Sequence, residues 1–391
     1  MSKIKLLKIL PSTIRGGVEE YALKMASAAT GRGWDVHVAF PGRASTRTLR
    51  EDFSKIGVCC HAIEIPAEAR GMIPFLIKVV RTLALLLKIK PDAVQLSLPF
   101  PDQCLASMIA CALLKIPTVV VFQLVAECGG IGGKQLLLYH WARKRNQQWI
   151  SISENNRELL SELFHLSKSD IALVYNGPYF SGDNDLKNSK TTISRDVRCE
   201  LGLLRSDRIV LTVGRLHKQK GFAYIIPAIP HILKKYPDIR FVWVGEGEQR
   251  SELESLVKEY EVENNVLFLG YRNDIPRLLL ASDLFLFPTL YEGGSSMALL
   301  EAMEYCLPIV ASGASGIPEV IEDAVHGILF RKADSCSLLM ALHQALDDPE
   351  KMAAMAANAS IRVKEFSCKK MTDNTLRLLD TLVCEKNRPP S

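Results

Sequence analysis

The sequence predicts an α/β protein built as two doubly wound, Rossmann-like domains facing across a cleft. Three observations predict it. Short apolar runs alternate with longer helix-period segments in both halves, a polar stretch at 181–196 divides the halves, and in each half a glycine-bearing loop leads out of a strand. Strand then helix, repeated, is the pattern of parallel βαβ units. At 391 residues and 48% hydrophobic content, the chain can bury two cores without disulfides or metals.

In the first half, strands are expected at IKLLKIL (4–10), DVHVAF (35–40), DAVQLSL (92–98), TVVVFQL (118–124) and QWISIS (148–153), with a helix over VEEYALKMASAAT (18–30). The second half repeats the plan at RIVLTVG (208–214), RFVWVG (240–245), NVLFLG (265–270), LFLFP (284–288) and LPIVAS (307–312), with a helix over QRSELESLVKEYE (249–261). The expected organisation is a domain over 1–180, a linker over 181–196, a domain over 197–368 and a last helical segment over 369–391. Ligands of such sheets bind beyond the carboxyl ends of the strands.

Composition narrows the function. The ten cysteines stand singly or as the pair Cys59-Cys60, with no CxxC and no Cys/His ligand spacing, so they read as reduced thiols of a cytoplasmic protein. MSKIKLLKILPSTIRGG lacks the long apolar core of a signal peptide and reads as a first strand. Residues 1–180 hold 22 Lys/Arg and 14 Asp/Glu, net +8, whereas 181–391 hold 26 and 29, net −3. A basic first half suits an anionic partner such as phosphate or anionic lipid, and no nucleic-acid-binding signature is present. MIPFLIKVVRTLALLLKIK (72–90) is interrupted by Lys78 and Arg81, so it should not span a bilayer. Its stripe of Phe75, Leu76, Val79, Val80, Leu83, Leu86 and Leu87 fits either a helix covering a sheet or one lying on an anionic membrane, and KQLLLYHWARKRNQQW (134–149) adds a second basic, aromatic patch.

Three loops carry the candidate chemistry. After the first strand, Gly16 and Gly17 allow close backbone approach to a phosphate or sugar, and the next helix offers free N–H groups. After the strand at 208–214, GRLHKQKG places Arg215 and Lys220 between Gly214 and Gly221, where a guanidinium fork and a point charge could bracket a diphosphate. After LFLFP comes YEGGSSMALLEAMEY: Gly293 and Gly294 bare the backbone, Ser295 or Ser296 can cap a helix that starts at Met297, and Glu292 and Glu301 can accept hydrogen bonds from sugar hydroxyls. His217 and His326 read as surface or packing residues, and Asp183-Asn184-Asp185 as part of the linker.

GRLHKQKG, GEGEQRSEL (245–253), FLGYRNDIPRLLLASDLFLFPTLYEGG and LLEAMEYCLPIVASGASGIPEVIEDAVHGILF, in that order, resemble the donor domain of the GT4 family of retaining glycosyltransferases with the GT-B fold. IRGGVEEYALKMA (14–26), SISENNRELL (151–160) and VYNGP (174–178) extend the resemblance more loosely into the first half. The resemblance implies transfer of a hexose or related sugar, with retention, from a nucleoside diphosphate sugar to a glycan or lipid-linked acceptor, with no cofactor and no required metal. It matches Arg215 and Lys220 to the cations on the diphosphate, Glu301 to the acid on the ribose, Glu292 to the acid near the transferred sugar and Gly17 to the loop that closes over the donor phosphate. It makes the first domain the acceptor side, the second the donor side, and the last helix a strap returning to the first domain. A cytoplasmic location is expected, and a lipid-linked acceptor would suit one peripheral on the inner membrane face.

Two departures from the family pattern stand out. Eight residues separate Glu292 from Glu301, one more than usual, and Gln123 stands where the family commonly carries a histidine. Gln123 can donate a hydrogen bond to a sugar hydroxyl but cannot take a proton. Glu127, in the loop VAECGGIGG, is a candidate substitute. These departures leave open a GT-B scaffold that binds nucleotide sugar without turnover, or a GT-B sugar epimerase.

Overall fold

The computed structural model describes residues 3–11, 16–63, 71–101, 103, 105–125, 130–178, 188–294 and 296–386. The chain divides into two compact units, one of residues 1–179 with 368–391 and one of residues 180–367.

The first unit holds a seven-stranded sheet of β1 (Lys5–Ile9), β2 (Asp35–Phe40), β3 (Cys59–Ala62), β4 (Ala93–Leu98), β5 (Thr118–Phe122), β6 (Gln147–Ser151) and β7 (Ile171–Leu173). Their order is β3-β2-β1-β4-β5-β6-β7 and every neighbouring pair is parallel. The order reverses direction between β1 and β4, which is the crevice of a doubly wound sheet. Both faces are covered, so the strands read as continuous apolar runs. Leu7, Val94, Leu96 and Val120 face α3 (Met72–Ile89), α4 (Leu105–Leu113) and α5 (Gly133–Arg143), whereas Leu6, Val36, Val38 and Val121 face α1 (Gly17–Gly31), α2 (Arg47–Lys55) and the C-terminal helix Cys368–Lys386. That last helix buries Met371, Leu376 and Leu379 beside Tyr21 and Met25 of α1, and Arg32 at the end of α1 pairs with its Asp373 at 2.7 Å and Asp380 at 3.5 Å. Among the described residues, no helix is long and apolar enough to cross a membrane.

A polar side chain sits inside this core. Lys8 of β1 is fully buried and donates to Gln95 Oε1 of β4, while Gln95 Nε2 donates to Tyr21 Oη at 3.2 Å. Burial pulls the Lys8 ammonium down from 10.5 to about 7 and pushes the Tyr21 phenol up to about 12. Because the folded value lies below the unfolded one, the unfolded chain binds more protons between the two, and Lys8 costs stability at neutral pH that is recovered as pH rises. Lys8→Met is therefore expected to be more stable than wild type near pH 7 by about 2 kcal/mol, after the lost Gln95 hydrogen bond is allowed for. Urea denaturation should show the gap closing towards pH ~10; a gap independent of pH would contradict this account of Lys8.

The second unit holds β8 (Arg208–Val213), β9 (Ile239–Val244), β10 (Val266–Phe268), β11 (Leu284–Phe287), β12 (Ile309–Ser312) and β13 (Ile328–Phe330), all parallel, in the order β10-β9-β8-β11-β12-β13. Its reversal lies between β8 and β11. Phe241, Trp243, Leu286 and Val310 anchor one face against Phe222, Ile229, Leu253 and Leu342.

The expected linker over 181–196 is helical in its last part, within Lys190–Glu200. This helix has few apolar residues because Arg198 anchors it instead. Arg198 is 9% exposed, and its guanidinium donates to the carbonyls of Asp207 and Ala281 and to the Asp283 carboxylate at 2.9 Å.

Candidate functional site

In the second unit the reversal point of the sheet brings two of the three sequence-marked loops side by side, because β8 and β11 are direct neighbours. The loop leaving β8 runs over Gly214–Gly221 and is tied to the neighbouring strand ends by backbone. Gly214 N donates to Val244 O at 2.9 Å, Leu216 N to Glu246 O at 3.0 Å, and Leu290 N to Gln219 O at 2.7 Å. Gly221 takes φ +69°, and a Cβ there would stand 2.1 Å from Pro288 O, so only glycine lets the loop lie on the end of β11.

That seating puts Lys220 against the β11 loop. Its ammonium pairs with the Glu292 carboxylate and lies 5.5 Å from the centre of the Phe287 ring. Both partners are largely buried, with side chains 18% and 12% exposed. Thr289 Oγ1 donates to Glu292 Oε1 at 3.0 Å, and Gln219 Nε2 donates to Tyr291 O at 2.9 Å. A paired, partly desolvated lysine is held in one place for a ligand. Arg215, five residues earlier, is exposed, and its guanidinium has no hydrogen-bond or ion-pair partner among the described residues. The chain thus presents one fixed and one free cation from a single strand end.

Gly293 and Gly294 are buried, Ser295 lies outside the described residues, and Ser296 opens the helix Met297–Glu304 as its N-cap with extended backbone and no side-chain cap bond. The Leu300 N–H reaches Ser296 O at 3.0 Å, which leaves the first-turn N–H groups from Met297 as the open, positive end of the helix. Glu301, in the second turn, is only 5% exposed. Cations and a helix start beside acids can take a phosphate group on one side and hydroxyls on the other.

Sequence reasoning assigned Lys220 and Glu292 to different parts of a ligand, and the structure pairs them with each other. It also missed Thr289 and Gln219, whose side chains fix the Glu292 loop. Pro288-Thr289, just past β11, is the only sequence signal of Thr289, and Gln219, inside GRLHKQKG, gives none. His217 is half-buried, with Nδ1 accepting from Gln219 N at 3.1 Å, and His326 Nδ1 accepts from Glu322 N at 3.2 Å, so both act as local packing and turn residues. Asp183, Asn184 and Asp185 lie outside the described residues.

In the first unit, Gly16 and Gly17 are exposed at the start of α1, which follows β1 at that sheet's reversal point. Gln123 directly follows β5, is 8% exposed and accepts from Asn176 Nδ2 at 3.3 Å. Its own Nε2 has no acceptor among the described residues. Asn156 Nδ2 donates to Phe122 O at 2.9 Å and fixes the strand end next to it. A buried donor without a partner is costly unless a ligand supplies the acceptor. Glu127 and Gly129 lie outside the described residues.

Residues 195–362 match the family "Glycosyl transferases group 1" and residues 15–178 match "Glycosyltransferase Family 4". An Escherichia coli UDP-Gal:alpha-D-GlcNAc-diphosphoundecaprenol alpha-1,3-galactosyltransferase is 31% identical over 54% of this chain and 55% of its own length. A Campylobacter jejuni N-acetylgalactosamine-N,N'-diacetylbacillosaminyl-diphospho-undecaprenol 4-alpha-N-acetylgalactosaminyltransferase is 28% identical over 58% of each chain. The chain therefore aligns with little more than half the length of these curated relatives. Among solved structures, a Rickettsia africae glycosyltransferase superposes with a TM-score of 0.82 over 99% of this chain and 100% of its own, at 16% identity. Anabaena HepE in complex with UDP-glucose gives 0.81 over 97% and 100%, at 22% identity.

Proposed function

The chain belongs to the group 1, family 4 glycosyltransferases and has their GT-B fold, and from that membership we propose that it transfers a hexose or related sugar from a nucleoside diphosphate sugar to a hydroxyl of a glycan or lipid-linked acceptor, with retention of configuration. The observation that carries the reading is the meeting of the β8 and β11 loops, which sets Lys220 and Glu292 together beside the start of the helix Met297–Glu304.

The chemistry follows from charge. The bond from the sugar's anomeric carbon to the diphosphate oxygen breaks and its electron pair leaves on the diphosphate. The acceptor oxygen forms the new bond on the same face and passes its proton to the departing diphosphate oxygen, which has just gained the electron pair. Negative charge grows on the leaving group while the sugar becomes oxocarbenium-like. Arg215, Lys220 and the open N–H groups from Met297 stabilise that charge without a metal. Glu301 takes the ribose hydroxyls. Glu292 lies beside the transferred sugar and holds Lys220 in position. In the first unit, Gly17 offers bare backbone to a phosphate group and Gln123 Nε2 is the donor offered to a sugar hydroxyl.

The test is a panel of UDP-, GDP- and ADP-sugars, measuring nucleotide release with lipid-linked acceptor extracts. Glu301→Ala is expected to raise KM for the donor about tenfold or more, the loss of a charge-assisted hydrogen bond of about 2 kcal/mol, with a smaller effect on kcat. Gln123→Leu is expected to cost about tenfold in kcat/KM. Nucleotide binding in calorimetry with no release under any acceptor would favour the scaffold reading, and an altered free sugar nucleotide would favour epimerisation.

Membrane contact belongs to the same proposal. Along α3, Ile73, Leu76, Ile77, Val80 and Leu87 are between 43% and 73% exposed, and Lys78, Arg81 and Lys88 accompany them. Such a face inserts its apolar side below the headgroups and its cations meet anionic lipid. Vesicles containing phosphatidylglycerol should sediment the wild type, and Leu76→Glu with Val80→Glu should reduce binding at least tenfold, since about 3 kcal/mol of apolar transfer is lost. Equal sedimentation of both would remove the membrane from the account.

A further inference from the structure

The structure assigns a second site, far from the donor loops in sequence: we propose that His37, Cys59 and His61 bind one zinc ion at the edge of the first unit's sheet, with Asp35 as the outer partner of His37. The proposal does not depend on the transferase reading.

The geometry follows from strand periodicity. Side chains two apart on a strand share a face, and residues in register on parallel neighbours share it too. Asp35 and His37 therefore stand on one face of β2. The register pairs His37 with Cys59 and Ala39 with His61, which puts Cys59 and His61 on the same face of β3. Cys60 points to the other face, where its Sγ lies 3.9 Å from Arg50 O of α2. The sequence spacing of these ligands matches no familiar motif, because it is the register and not the chain that brings them together.

The contacts bring the three ligand side chains together. His37 Nδ1 and His61 Nε2 face each other at 2.8 Å, with the rings stacked at 23° and 5.1 Å between centres. The ligand atoms of His37, Cys59 and His61 lie within 4.8 Å of one another. Tetrahedral zinc, with bonds of about 2.0–2.1 Å to nitrogen and 2.3 Å to sulfur, needs its ligands about 3.3–3.8 Å apart. The separations present, 2.8 Å between the two imidazole nitrogens and within 4.8 Å for all three, bracket that spacing, and the fourth ligand would be water. On its other side, His37 Nε2 lies 3.4 Å from Asp35 Oδ2. A carboxylate there holds the proton on Nε2 and turns the Nδ1 lone pair inwards, as the outer carboxylate of a metal-bound histidine does. Two imidazoles and a thiolate suit zinc, whereas magnesium or calcium would ask for oxygens. Cys59 is exposed and both histidines are half-buried, so the ion enters from solvent.

The site also has a physical purpose. β3 is a four-residue edge strand whose residues are exposed or half-buried, so little apolar surface holds it in place. Zinc shared between β2 and β3 would clip that edge, and binding to the folded form alone raises stability.

The experiment uses the full-length, untagged protein, reduced and stripped of metal. Zinc is titrated by competition with a chromophoric chelator, and cobalt by absorbance. The expected results are one equivalent bound, a thiolate-to-cobalt charge-transfer band, and a higher thermal midpoint with zinc. Cys59→Ser should abolish the band, His61→Ala should weaken binding at least a hundredfold, and Asp35→Asn should weaken it about 10–100-fold. Cys60→Ser should bind like wild type. Metal-free thermal midpoints verify that each variant folds. If His61→Ala does not fold, Cys59→Ser, at an exposed position, carries the test. Absence of stoichiometric binding, or binding and a charge-transfer band unchanged in Cys59→Ser, would overturn the proposal.

Discussion

Lys220→Ala is expected to lower kcat by about a hundredfold to a thousandfold, the size seen when one donor to a developing negative charge is removed from a preorganised site. The lysine is held by Glu292 and packed near Phe287, so its charge is in place before the leaving group forms. An interaction made chiefly in the transition state lowers kcat and kcat/KM alike. Lys220→Ala should therefore leave donor affinity within a few-fold of wild type. Lys220→Arg, which keeps the charge but changes its shape, should recover part of the loss. Removing the lysine also leaves the Glu292 carboxylate nearly buried without its cation, which costs about 1–3 kcal/mol of stability. Rates must accordingly be compared at equal folded fraction, set by denaturant curves for each variant. Turnover within threefold of wild type at equal folded protein would remove Lys220 from the reaction.

The largest effect on stability is expected at Gly245. This residue directly follows β9 with φ +141°, a region closed to side chains, and a Cβ there would stand 2.0 Å from Gly214 O. The obstacle is backbone of the loop that carries Arg215 and Lys220, so no flexible side chain can move aside. Gly245→Ala must distort either β9 or that loop, at about 3–5 kcal/mol from the strained conformation and the clash together. Gly31→Ala makes the control. It lies in α1 without positive φ, nothing stands within 4 Å of the added Cβ, and its stability should change by less than about 1 kcal/mol. Urea midpoints at constant m-value measure both. If Gly245→Ala unfolds at the wild-type midpoint, the close packing of the two strand ends is not what holds the donor loop.

The ten strands expected from apolar runs all form, within a few residues of their expected ends. The three that were not expected are β3, β7 and β13, and each lies at the edge of its sheet. An edge strand pairs on one side only and can be short, as the three-residue strands Ile171–Leu173 and Ile328–Phe330 are, so its apolar signal falls below what a run can show. The helix Lys190–Glu200 escaped for a related reason: it is anchored by hydrogen bonds from the buried Arg198, which no hydrophobic pattern reports.

Within the candidate site, glycines, cations and acids could be read from composition and position along the chain. Their partners could not. Lys220 and Glu292 are 72 positions apart and meet only because β8 and β11 are neighbours at the reversal of the sheet. The same is true of Gln219 on Tyr291, of Asn176 on Gln123 and of His37 on His61. What the chain alone determined here is its class, its alternation of central strands and helices, and the loops that bear chemistry, because backbone sterics and apolar periodicity act over a few residues. Which charges pair, which donors are left for a ligand and which edge residues converge on one face was decided by strand order and register. Those depend on contacts between distant segments whose closure only the packed cores can stabilise.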